Sequence, residues 1–227
     1  MPLGDSITRG IIGTNDRNSG GYRTELWNKF VADGLKVEFV GSQFNGPDSL
    51  SNKHHEGHAG WTIRQIAASV NEWLNASQPD LILLTVGTND TAKSSLRTII
   101  DEFSALIDQI TSQSPDVHLL VASIPPIHPT AKPTIRVLRA IYFNAAIPNI
   151  VNSKVAQGKK VDFVDMRSLT VNDLTCSLSL DLDNGLHPNA QGYRKIANFW
   201  HDAIFKVISN RQTSLTSGCY SRSARAS

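Results

Sequence analysis

Cysteine is nearly absent from this chain: its 227 residues include only Cys176 and Cys219, too few and too far apart for a zinc framework, whose ligands come in close pairs. Excess charge is missing as well. Against 20 acidic residues stand 22 Lys and Arg, a net charge of +2, and the basic residues are scattered. They form no stripe able to follow a phosphate backbone, so nucleic acid is not expected as a partner. Nor is there a long apolar run. The longest, Leu81 to Val86, falls far short of the roughly 20 residues that a membrane helix needs, and no membrane association is expected. Internal repeats are lacking too. What remains suits one domain, because 40% apolar content at this length fills a continuous core. That domain is expected over residues 1–209, with the polar, Ser-rich residues 210–227 as a tail or the start of a linker.

Five short apolar runs read as strands: Met1 to Leu3, Val37 to Gly41, Leu81 to Val86, Val117 to Ile124 and Val161 to Asp165. Between them, Ile63, Ile66, Ala67, Val70, Trp73 and Leu74 fall at the i, i+3, i+4, i+7 spacing of one helical face. The stretch from Leu96 to Ile110 repeats that spacing, as does Tyr193 to Val207. Tyr22, Leu26, Trp27, Phe30 and Val31 mark a helix between the first two strands, and residues 133–157 read as a helix interrupted at Pro148. Alternating strands and helices predict an α/β fold, a three-layer α/β/α sandwich around a five-stranded parallel sheet. Ligands in such sheets bind beyond the C-terminal strand ends, near the point where strand order reverses. The segments from Gly41 to Gly60 and Ala122 to Pro133, rich in Gly, Pro, Asn and His, are expected to be loops that shape the cleft.

Four separated segments carry the parts of an acyl-transfer site. Gly4-Asp5-Ser6-Ile7-Thr8 puts a serine just after the first strand, and a serine nucleophile needs a base in hydrogen-bond reach. His187, in Asn184-Gly185-Leu186-His187-Pro188, is the candidate base. Gly60 and Asn89, in Gly60-Trp61 and Gly87-Thr88-Asn89-Asp90, would join the Ser6 amide as donors to an oxyanion. Each residue also has a structural reading: Ser6 as a helix cap, His187 as a surface residue at a helix start before Pro188, Gly60 and Asn89 as turn residues. Asp5 is expected to hydrogen-bond locally and hold the turn. Trp61 divides between core and cleft wall, where an aromatic face suits a sugar ring. His54, His55, Glu56 and His58 lack the i, i+4 helical spacing of a metalloprotease, and a solvated or cleft-lining loop is the expected account.

Taken in order, GDSITRG, the Gly60 segment, GTND and HPNAQGY resemble the four sequence blocks of SGNH hydrolases, the GDSL-like esterase superfamily, over essentially the whole stretch from Met1 to about Ser209. Within it, MPLGDSITRG, HHEGHAGWTI and NGLHPNAQGYRKIA look most like carbohydrate esterase family 3, mainly acetylxylan esterases. The resemblance implies a flavodoxin-like sheet, a catalytic domain over 1–209, Ser6 as nucleophile and His187 as base. It also implies an oxyanion hole of Ser6, Gly60 and Asn89, and an acetylated polysaccharide or oligosaccharide as substrate. No cofactor is implied for catalysis. Relatives carry a structural calcium, for which Asp48, Asn52 and Glu56 offer oxygens, though the sequence does not establish that site. One departure stands out. The family usually places Asp three residues before the catalytic His, and this chain has Asn184. A Ser-His dyad with Asn184 or a backbone carbonyl orienting the ring is preferred over a substitute carboxylate from Asp183 or Asp181, or deamidation at Asn184-Gly185.

No secretory signal precedes Met1, and the start reads as processed or trimmed, so compartment is judged on other grounds. Asn75-Ala76-Ser77 is an N-glycosylation acceptor triplet and supports a secreted, extracellular protein, expected as a monomer. In an oxidising compartment Cys176 and Cys219 would close a disulfide tying the tail to the loop before His187; the alternative is two free buried thiols. Two rival functions stand beside the carbohydrate esterase: a lipolytic esterase or lysophospholipase, and a non-catalytic carbohydrate-binding protein on the same scaffold.

Overall fold

The computed structural model describes residues 1–12, 18–129, 133–169, 182 and 185–223, with 211–223 as backbone alone. Six strands form one sheet: β1 (Pro2–Gly4), β2 (Gln43–Phe44), β3 (His54–Gly57), β4 (Leu81–Thr85), β5 (His118–Ala122) and β6 (Val161–Val164). Their order is β2-β3-β1-β4-β5-β6. Five of them run parallel, and the two-residue β2 pairs antiparallel with β3, Gln43 opposite His55. The expected all-parallel five-stranded sheet is therefore a six-stranded mixed one. Val37–Gly41 is not one of its strands: Phe39 is buried beneath the sheet but the segment pairs with nothing, and β3 takes the place beside β1.

Helices α1 (Ser6–Arg9), α2 (Tyr22–Ala32), α3 (Ile63–Ser77), α4 (Asp90–Lys93), α5 (Leu96–Gln113), α6 (Thr134–Ala156) and α7 (Ala190–Ser223) complete the layers. Successive strand residues point to opposite faces. Leu3, Ile82, Leu84, Leu119 and Val121 pack on α3, α5 and α6, whereas Leu83, Leu120, Ala122 and Val164 pack on α2 and α7. Apolar spacing decides which helix faces turn inward: Ile99, Phe103, Leu106, Ile107 and Ile110 of α5 are all fully buried. Side-chain caps start α3 and α5. The Thr62 hydroxyl and the Gln65 side chain form a reciprocal capping box on α3, and Ser95 accepts the Thr98 amide at 3.1 Å on α5.

Pro148 does not interrupt α6, contrary to the sequence reading; the helix runs through it. A proline costs the bond to the carbonyl four residues back, here that of Asn144. The buried Phe143, Ile147 and Val151 on either side of the break hold both halves on the sheet. The Asn144 side chain further ties α6 to the end of β5, accepting from the Ile124 amide and donating to its carbonyl, both at 2.9 Å. The α7 backbone likewise continues helical past residue 209, through positions whose composition reads as a tail.

The chain passes from β1 to β3 on one side and then crosses to β4 on the other, so strand order reverses at β1. The C-terminal ends of β1, β3 and β4 meet there, and a ligand site is expected at that edge.

Candidate active site

Ser6, Gly60 and Asn89 follow these three strand ends in turn. Glycine at position 4 lets the end of β1 lie against β4, because a Cβ there would sit 2.0 Å from the Thr85 carbonyl oxygen. Asp5 caps α1 by accepting the Ile7 amide at 3.0 Å, the local bond expected of it, and Ser6 becomes the first helical residue. First-turn amides have no intrahelical acceptor, so the Ser6 N–H is free to donate elsewhere.

The decisive contact spans 181 residues: His187 Nε2 lies 3.0 Å from Ser6 Oγ. His187 is held just ahead of α7. Pro188 bridges to Leu182, the Gly185 carbonyl accepts the His128 amide at 2.9 Å, and Asn189 caps the helix through the Gly192 amide at 3.0 Å. A histidine there is both at a helix start and in reach of the serine. Asn184, Asp183 and Asp181 lie outside the described residues, as do Cys176 and the side chain of Cys219.

Gly60 is exposed, with a left-handed φ of +81° and open space where a Cβ would stand. It is the third residue of a turn closed by the Trp61 amide donating to the His58 carbonyl at 3.2 Å, a position where positive φ favours glycine. The Asn89 side-chain amide donates to the Trp61 carbonyl at 2.9 Å, and Lys93 Nζ donates to the Gly60 carbonyl at 3.2 Å. These bonds couple the β3 turn to the β4 turn. An amide nitrogen carries two hydrogens, so Asn89 retains a second donor. Trp61 is half-buried and its ring stacks on His58 at 4.3 Å, so part of its surface is already covered from within the protein.

Two carboxylates lie beneath the site. Asp5 is fully buried, and burial pushes it from 3.8 up to about 7, opposed by the Ile7 amide and reinforced by the Asp90 carboxylate. Asp90 accepts the Ile63 amide on both oxygens at 3.2 Å, fixing the start of α3, and burial raises it to about 6.

The His54 to His58 stretch corrects the expectation of a solvated loop. Residues 54–57 are β3, with His55 and Glu56 fully buried. His55 Nδ1 accepts the Gly57 amide at 2.9 Å, so Nε2 carries the hydrogen and donates to Asn45 Oδ1. Burial holds this ring neutral, pushing it down to about 2, with the Arg23 and Arg9 charges acting in the same direction. Glu56 accepts from the Ser42 amide and hydroxyl, both at 2.7 Å, and from His58 Nε2 at 2.7 Å.

The oxygens named for a calcium, on Asp48, Asn52 and Glu56, each have a protein partner in this structure. Asp48 pairs with Lys53 at 3.1 Å, Asn52 Oδ1 accepts the His54 amide at 3.2 Å, and the Glu56 oxygens are occupied. Among the described residues no three His, Cys, Asp or Glu side chains gather as a metal site. The sequence reading missed the roles of Lys93, Asp90 and the Glu56–His58 pair. A usable signal existed for the last: on a strand, residues two apart share a face.

The model of the GDSL-like Lipase/Acylhydrolase family matches residues 3–195. The chain belongs to the GDSL-like lipase/acylhydrolase family. This GDSL-like acylhydrolase is 41% identical to the Clostridium thermocellum family 3 carbohydrate esterase, with a TM-score of 0.77 over 92% of the chain and 96% of that structure. Among curated proteins, it is 39% identical over 147 residues, 65% of the chain, to "Putative endoglucanase X" of Acetivibrio thermocellus. It is 26% identical, over an alignment 227 positions long that covers 90% of the chain, to the "Multidomain esterase" of Ruminococcus flavefaciens. It spans 59% and 28% of the lengths of those two proteins.

Proposed function

We propose that this acylhydrolase is a secreted, monomeric serine esterase that removes acetyl groups from carbohydrate, with acetylated xylan or xylo-oligosaccharides as substrate. The observation that carries the reading is the 3.0 Å contact between Ser6 Oγ and His187 Nε2. The 41% identity to a family 3 carbohydrate esterase supports the substrate class.

Ser6 Oγ attacks the acetyl carbonyl carbon while its proton passes to His187 Nε2. The carbonyl oxygen takes the electron pair and is stabilised by the Ser6 and Gly60 amides and Asn89 Nδ2. Collapse breaks the bond to the sugar oxygen, which leaves with the proton from His187. A water then attacks the acetyl-Ser6 carbonyl, giving its proton to His187; collapse releases acetate, and the proton returns to Ser6. These steps use only side chains, backbone and water.

Acetate release from acetylated xylan by the parent and Ser6→Ala tests the reading. Ser6→Ala is expected to lose at least about 10³-fold in rate. Equal rates would favour a non-catalytic carbohydrate-binding protein. Asn184→Asp tests the dyad, because a rate increase would mean that a missing charge limits His187.

One observation favours a lipolytic reading: an apolar cavity of about 460 Å³ lined by Ile127, Val137, Ala140, Ile141 and Leu182, the last bridged to Pro188 beside the base. Acetyl and octanoyl esters of one alcohol separate the two. Faster turnover of the octanoyl ester would reject the carbohydrate substrate.

A further inference from the structure

The geometry points to His58 as a positioning residue that aims the Gly60 amide at the oxyanion, an inference that rests on the donor role proposed for Gly60. Gly60 cannot hold its own orientation. It is exposed, no atom lies within 4 Å of the place a Cβ would occupy, and glycine backbone is the least restricted of all. Apart from the Lys93 bond to its carbonyl, the aim of its N–H is set by the residues at the two ends of its turn, His58 and Trp61.

His58 is fixed at three levels. Its backbone amide donates to the Gly4 carbonyl at 2.8 Å, extending the β1–β3 ladder by one rung and tying the turn to the strand that ends at Ser6. Its carbonyl closes the turn through the Trp61 amide. Its ring joins a three-ring cluster, with centroids 4.3 Å from Trp61 and 4.5 Å from Trp73, the latter at an interplanar angle of 8°. Trp73 belongs to the buried face of α3, so the cluster ties the turn to the core. The ring's free rotation is removed by Glu56. That carboxylate is fully buried, held from the other side by Ser42, and it accepts from His58 Nε2 at 2.7 Å. The proton on Nε2 is committed to Glu56, which fixes the ring against Trp61 and Trp73. The role of His58 is orientation, and a backbone donor misplaced by about 1 Å is enough to cost on the order of 10²-fold in rate.

The test uses the full chain with 4-nitrophenyl acetate and its thionoacetate counterpart, in which sulfur replaces the carbonyl oxygen. An oxyanion hole fitted to oxygen accepts the larger sulfur poorly, so the ratio of oxo to thiono rates reads the fit of the hole. Two variants are measured. His58→Gln keeps an amide donor towards Glu56 and removes the ring; His58→Ala removes both. For His58→Gln, kcat is expected to fall about 10- to 100-fold with KM within about threefold, and the oxo/thiono ratio to shrink by about tenfold. His58→Ala is expected to lose at least as much, and if it fails to fold, His58→Gln still decides. A folded His58→Gln with kcat and ratio within twofold of the parent overturns the proposal. A purely structural role would lower melting temperature without moving the ratio, which also overturns it. Failure of the underlying reading shows elsewhere: a parent ratio near unity, or an Asn89→Ala variant with the parent's ratio, rejects the oxyanion assignment before His58 is changed.

Discussion

Replacing Asp5 by Asn should stabilise this protein at alkaline pH and do little at acid pH. Asp5 is fully buried at the cap of α1, with Oδ1 accepting the Ile7 amide at 3.0 Å. Oδ2 faces the Thr88 side chain without a hydrogen-bond partner among the described residues. Burial raises the carboxyl from 3.8 to about 7, so in the folded protein it keeps its proton up to that pH. In the unfolded chain it loses the proton near 3.8. Below that value both states are protonated and the group leaves stability unchanged. Between about pH 4 and 7 only the unfolded chain gains by ionising, and the folded state loses ground with each pH unit; above 7 the loss is complete. At about 1.4 kcal/mol per unit, the shift of roughly three units caps the loss near 4 kcal/mol. Asn keeps the Oδ1 acceptor for Ile7, never ionises, and offers an amide to the Thr88 hydroxyl, which also lacks a hydrogen-bond partner among the described residues. Urea unfolding of parent and Asp5→Asn at pH 5 and pH 8 measures the difference. The variant is expected to gain about 1–4 kcal/mol at pH 8, worth several degrees in Tm, and clearly less at pH 5. Asp90, itself raised to about 6, is present in both proteins, and removing its repulsion with Asp5 adds to the gain in the same direction. A variant whose advantage does not grow between pH 5 and pH 8 refutes the argument, because it would mean that folded Asp5 has already ionised by pH 5, as it has in the unfolded chain.

Three other substitutions probe separate links. Asn89→Ala removes the proposed oxyanion donor and the bond to the Trp61 carbonyl, and steady-state kinetics should show kcat lower by about 10²- to 10³-fold. Asn144→Ala strips both hydrogen bonds from the buried Ile124 backbone and should cost about 2–5 kcal/mol in denaturant unfolding. Gly87→Ala would put a Cβ 2.5 Å from the Phe143 ring at a φ of +125°; thermal unfolding should show a loss of at least about 1–3 kcal/mol, partly recovered by adding Phe143→Leu.

Where apolar periodicity drives packing, the elements could be read directly. Between Tyr193 and Val207, the apolar residues at helical spacing, Tyr193, Ile196, Ala197, Trp200, Ile204 and Val207, are all buried, and the runs around Leu83 and Leu120 are central strands. Pro148 misled because the penalty of one missing hydrogen bond is local, whereas the packing that outweighs it comes from residues distant in sequence. The candidate site residues stood out for a different reason: Ser6, Gly60 and Asn89 follow strand ends, and these three and His187 lie in short, glycine-bearing segments whose chemistry is distinctive even out of context.

The second strand position shows where this reading stops. Val37–Gly41 has the apolar run and fails to pair, while β3, with His-His-Glu-Gly, takes the place in the sheet. Burying such side chains is normally prohibitive, and within residues 54–57 only the Gly57 amide, donating to His55 Nδ1, offsets it. The compensation is scattered over the chain: Asn45 receives His55, Ser42 and His58 hold Glu56, and Arg23 donates to the carbonyls of Thr8, Arg9, Asn45 and Lys53. A polar strand is therefore invisible to any window of sequence shorter than the network that satisfies it. On the role proposed for His58, the same network gives the polar strand a use. An apolar β3 would bury itself equally well but would offer no Glu56 to grip His58, and the glycine turn that follows would have only its own loose backbone to aim a donor with.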